Sequence, residues 1–135
     1  MPARYEMSAS VKGAFAEVKA RVVDALKAQG FGVLTEIDVQ KTLKEKLGVE
    51  METYIILGAC NPQLAHQALD SDRSIGLLLP CNVVLRQGNG EVLVSILDPE
   101  KMFEVVDRQT QADLAGLPEE ARARLRNALR TLGGG

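Results

Sequence analysis

The chain has no tryptophan, two tyrosines and three phenylalanines among its 135 residues. So few rings leave little surface on which bases could stack. A basic excess is missing as well: 16 Lys and Arg stand against 18 Asp and Glu, giving a formal charge of −2. Without a surplus of positive charge to neutralise phosphates, no nucleic-acid partner is expected. No apolar run approaches the roughly 20 residues that span a bilayer. The longest, 75–80 with 83–85 beyond it, is interrupted at Pro80, Cys81 and Asn82, so no membrane partner is expected either. The opening Met-Pro-Ala-Arg-Tyr-Glu has no apolar export core. Two cysteines, without the density of a disulfide scaffold, point to a reducing cytoplasm.

What is present is ordinary for a folded protein: 46% hydrophobic and 25% charged residues. The length fits a single domain over 1–135, with 133–135 (three glycines) as a flexible tail. A chain of this size buries roughly two-thirds of its unfolded surface, so it requires no metal or disulfide to fold.

Tyr5, Met7, Ala9 and Val11 alternate with polar residues, which is the period of a half-buried strand. Phe15, Val18, Val22 and Leu26 then recur at helical spacing over 14–29, and Gly30 supplies a left-handed stop. Phe31, Val33, Thr35 and Ile37 predict one face of a second strand. Asp38 is placed to cap a short helix over 39–47, stopped by Gly48. Residues 53–59 are almost continuously apolar, as in a central strand covered on both sides. Asn61-Pro62 has the form of an N-cap followed by proline in the first helical turn.

Strands are expected over 82–86 and 91–98, joined at Asn89-Gly90, a strong hairpin signal. The second of these reads as covered on both faces. Asp98-Pro99 opens a short helix over 100–106. Leu117-Pro118-Glu119-Glu120 opens the last helix, with a buried stripe at Ala121, Leu125, Leu129 and Leu132. Helices interspersed with strands and followed by a hairpin predict an α+β fold. The expected form is a two-layer α/β sandwich, one mixed or antiparallel sheet of about five strands with helices mainly on one face. A doubly wound parallel sheet is the alternative.

Three stretches together resemble the domain-of-unknown-function 302 family. They are Gly30-Phe31-Gly32-Val33-Leu34-Thr35-Glu36-Ile37-Asp38, Leu57-Gly58-Ala59-Cys60-Asn61-Pro62, and Ile75-Gly76-Leu77-Leu78-Leu79-Pro80-Cys81-Asn82-Val83-Val84. Asp98-Pro99 adds to them, and the likeness runs from about Tyr5 to Asp98. It implies a small α/β sandwich that assembles as a homodimer, and it brings no activity, cofactor or catalytic residue.

One constellation has chemical potential: Cys60, His66 and Cys81, each cysteine being followed by asparagine, Asn61 or Asn82. Cys60 falls at a strand end just before a helix, where sites tend to form and where the helix dipole favours a thiolate. A neutral imidazole beside a thiolate binds soft metals or serves as a base. Three functions compete. The first is a binding module for a small ligand, anion or soft metal, with Cys60, Asn61, His66, Cys81 and Asn82 as candidate ligand-binding residues. The second is a thiol-dependent enzyme or redox protein with Cys60 as nucleophile and His66 as base. The third is a homodimeric interaction module using the apolar stretch 75–80. Against all three, buried cysteine is commonly an apolar filler, Asn61 is explained as a cap, Asn82 as a turn residue and 75–80 as core. The glycine-containing turn at 58–62 offers backbone N–H groups to an anion, less the one that Pro62 lacks. Glu36, Asp38 and Asp98 are carboxylates near strand ends that could serve acid–base chemistry or merely cap helices.

Overall fold

The computed structural model describes residues 3–133. Of the expected flexible tail, residues 134 and 135 lie outside the described residues. Five strands form one sheet in the order β1-β5-β4-β3-β2, with every neighbouring pair antiparallel. They are β1 (Glu6–Lys12), β2 (Gly32–Asp38), β3 (Tyr54–Cys60), β4 (Cys81–Gln87) and β5 (Glu91–Leu97). The antiparallel α+β arrangement therefore holds and the parallel alternative does not.

The helices are α1 (Phe15–Ala28), α2 (Val39–Leu47), α3 (Pro62–Ser71), α4 (Pro99–Met102), α5 (Arg108–Asp113) and α6 (Leu117–Thr131). Two 3₁₀ segments, Arg73–Leu78 and Phe103–Val105, join them. The first of these and α5 carry no periodic signal in the sequence, being too short for an apolar stripe to repeat.

Local chemistry explains several boundaries. Asp38 accepts from Lys41 N and Asn61 from Leu64 N, each capping the helix that follows. Gly48 adopts φ 70° at the end of α2, a conformation open to glycine at little cost.

One sheet face carries the core. Met7, Ala9, Val11, Ile55, Leu57, Ala59, Val83, Leu85, Val92, Val94 and Ile96 meet Val18, Val22 and Leu26 of α1 and Ala121, Leu125 and Leu129 of α6. On the opposite face, among the described strand residues, only Gly58 is buried. The expectation that β3 and β5 are covered on both sides is thus corrected: their apolar residues on the second face, Ile56, Leu93 and Leu97, are only half-buried.

A second correction concerns β2. Val33 pairs with Ala59 and Thr35 with Gly58, so two residues of β2 span one step of β3. That bulge exposes Leu34 and shifts the side-chain parity. Val33 faces the helices, whereas Thr35 and Ile37 share the open face. A smaller core (Ala68, Ile75, Phe103 and Leu114) gathers at one end of the sheet.

Candidate functional site

The ends of β3 and β4 meet this smaller core. Ala59 pairs with Cys81 at the last step of the β3–β4 ladder, so Cys60 and Cys81 stand one residue out of register on adjacent strands. A cavity of about 70 Å³ opens beside them. Its walls come from Ala59 and Cys60 of β3, Asn61, Cys81 of β4, Leu97 of β5, and Leu64, Ala65 and Ala68 of α3. Phe31, Ile75, Leu79, Phe103, Pro99 and Met102 of α4, and Leu117, Pro118, Ala121 and Leu125 of α6 complete the lining. Nearly all of these groups are apolar. The sequence brings them together because each ends a strand or begins a helix at the same end of the sheet.

Cys60 and Cys81 are both unpaired thiols. Cys81 packs against the main core, and burial pushes its pKa up from 9.0 to about 12. Desolvation disfavours the charged form, so this thiol stays protonated at neutral pH. A protonated thiol is a poor nucleophile and a poor metal ligand. Asn61 is buried, with 6% exposure, and its Oδ1 accepts from Leu64 N at 3.2 Å. That bond occupies a donor an anion at the α3 N-terminus would use, and Pro62 lacks another.

The other candidates lie elsewhere. His66 is 77% exposed in its side chain, sits 3.5 Å from Asp70 one turn along α3, and is not part of the cavity wall. Asn82 pairs with Gly58 across the ladder and is exposed on the open sheet face. Cys60, Asn61 and Cys81 therefore share one cavity, and His66 and Asn82 stand apart from it. The carboxylates do not converge: Glu36 pairs with Lys19, Asp38 caps α2, and Asp98 caps α4 while accepting from Arg122 Nε at 3.1 Å. Among the described residues, no group of three or more His, Cys, Asp or Glu could hold a metal ion. No helix among them is long and apolar enough to cross a membrane.

The stretch 75–80 divides. Ile75 is buried in the smaller core, Leu78 and Leu79 pack against it, and Leu77 is 89% exposed. Sequence reasoning identified the apolar stripe of the last helix but not that its first turns close a cavity over Cys60 and Cys81. No signal in the sequence links those segments, which lie far apart along the chain, because the link is made only by packing.

Two comparisons bear on this arrangement. The model of the family described as "Domain of unknown function DUF302" matches residues 7–132. A solved structure described as an uncharacterized conserved protein DUF302 from Bacillus stearothermophilus is similar, at 28% identity and a TM-score of 0.81. The alignment covers 95% of this chain and 98% of that one. No curated protein matches.

Proposed function

This chain belongs to the DUF302 family, and from that premise we propose that it is a small-molecule binding module whose cavity at the β3–β4 strand ends takes an apolar molecule or the apolar end of a larger one. The observation that carries this reading is the cavity itself, about 70 Å³ and lined almost wholly by hydrocarbon side chains. A dry apolar cavity of about 150 Å³ holds benzene, so the smaller one here has room for a smaller guest or for the end of an alkyl chain. Cys60 and Cys81 line the site as polarisable walls, and Asn61 holds α3 in place over it. A soft metal or an anion is the weaker choice, since the Cys81 thiol stays protonated and the α3 N-terminus is already capped. The enzyme reading with Cys60 as nucleophile loses support because His66 pairs outward with Asp70. The reduced thiols fit a cytoplasmic protein.

The test is thermal unfolding with small apolar probes such as xenon and with hexanol, whose alkyl end can enter the cavity, alongside alkylation of Cys60. A ligand at 100 times its dissociation constant stabilises the fold by about 2.7 kcal/mol. Binding should also slow alkylation of Cys60. Ala121→Leu, which fills the cavity from α6, should abolish both effects while leaving the protein folded. Probes that bind Ala121→Leu as tightly as the unsubstituted protein exclude this cavity.

A second reading, a homodimer, is favoured by the open sheet face. There Ile37, Ile56 and Val84 lie in one cross-strand row, with Leu93 half-buried nearby and Ile37 51% exposed. A second copy laid on this row would remove contiguous apolar surface from water. Light scattering should give twice the chain mass, and Ile56→Lys should give the monomer. A monomeric mass for the unsubstituted protein at micromolar concentration removes this reading.

A further inference from the structure

Arg122, Arg126 and Arg130 recur every fourth residue along α6 and so form one stripe. The stripe borders a groove of about 200 Å³ between α6 and β1. Met7 and Leu129 give the groove an apolar floor, and Glu6 and Ser8 line its other wall. The three arginines are not equally satisfied. Arg122 is held by Asp98 and Glu100, both at 3.1 Å. Among the described residues, Arg126 and Arg130 are in no ion pair. Arg126 Nε is buried and has no hydrogen-bond partner among the described residues.

A buried guanidinium donor without an acceptor is costly, and like charges four apart on a helix add repulsion. Glu6, the one carboxylate lining the groove among the described residues, spends an oxygen on Ser95 Oγ at 3.3 Å. Two cations therefore face one anion in a concave site.

We infer that this groove binds an oxyanion, the carboxylate or phosphate of a small organic molecule, through Arg126 and Arg130. The planar guanidinium fork matches either group in a two-bond geometry. The volume exceeds what a bare ion needs, and Met7 and Leu129 give the organic part an apolar wall. The inference is independent of the cavity reading, because the groove uses another face of α6.

The test is a ¹⁵N NMR titration of the full chain at low salt with inorganic phosphate and, separately, citrate, following the Arg126 Nε–Hε signal. A saturable shift is expected. Arg126→Gln and Arg130→Gln should each weaken binding roughly tenfold, the loss of one charge-assisted pair. Arg126→Lys, which keeps the charge without the fork, should fall between. Preference for phosphate identifies a phosphate ester and preference for citrate an organic acid; either outcome upholds the site. Absence of a saturable shift with both anions overturns it, and so does an equal shift from sodium chloride at matched ionic strength. Unchanged affinity in the substituted proteins overturns it too. Arg130 is exposed, so Arg130→Gln still tests the site where Arg126→Gln unfolds the protein.

Discussion

Arg122 donates from Nε to Oδ2 of Asp98 at 3.1 Å, fastening the last helix to the end of the β5 strand. The other oxygen of Asp98 accepts from Glu100 N at 2.9 Å and caps the short helix α4. One buried carboxylate thus orients both elements that wall the cavity on that side.

Asp98→Ala should therefore lower stability by about 2 kcal/mol, from the lost cap and the lost charge-assisted bond. Asp98→Asn keeps the capping oxygen and should lose less. Urea unfolding with an unchanged slope checks both. Asp98→Asn as stable as the unsubstituted protein would show that the charge on the bond to Arg122 contributes nothing.

Gly58 lies under Pro80 on the open face of the sheet. A methyl group there would come within 2.7 Å of Pro80 Cγ and would also strike the Thr35 hydroxyl. Gly58→Ala should lower stability by about 1–3 kcal/mol through forced displacement of Pro80 and Thr35. A thermal melt of the variant at unchanged midpoint would refute this crowding.

Leu125 is wholly buried and forms part of the cavity wall. Leu125→Ala should cost about 2–5 kcal/mol, because the space it leaves adds to one already present. The enlarged cavity should also admit larger apolar probes than the unsubstituted protein does. A loss under about 1 kcal/mol would mean that the helices collapse into the space.

The Cys81 thiol carries a pH signature. Its folded pKa of about 12 lies above its ordinary value of 9.0, so the folded state keeps a proton that the unfolded chain releases. Its contribution to stability is complete below pH 9.0 and is lost as pH rises towards 12. Unfolding free energy measured across this window should fall with pH, and less steeply in Cys81→Ala. The same burial should keep Cys81 unreactive to alkylating agents at neutral pH while the protein is folded. Rapid native-state modification of Cys81 would contradict the burial argument.

Much of the fold was legible from local patterns. The N-caps at Asp38 and Asn61, the hairpin at Asn89-Gly90 and the stripe of the last helix all act within a few residues, and the structure keeps them. Their physics is short-range hydrogen bonding and periodicity, which a single sequence carries in full. Of the candidate site, Cys60, Asn61 and Cys81 were legible as residues at strand ends, whereas the cavity they share was not.

Tertiary packing decided the rest. The bulge between Val33 and Thr35 moves Ile37 to the open face, because register depends on the partner strand rather than on the alternation within β2. The same dependence on neighbours fixes the chemistry: His66 and Cys60, six residues apart, are separated by the direction in which α3 presents its side chains. Leu125 and Cys60, 65 residues apart, share a wall. Sequence determines which residues can cap, turn or alternate, since those interactions are local. Which side chains enclose a common space depends on how whole elements pack, and that is set by burying the largest apolar surface across the entire chain.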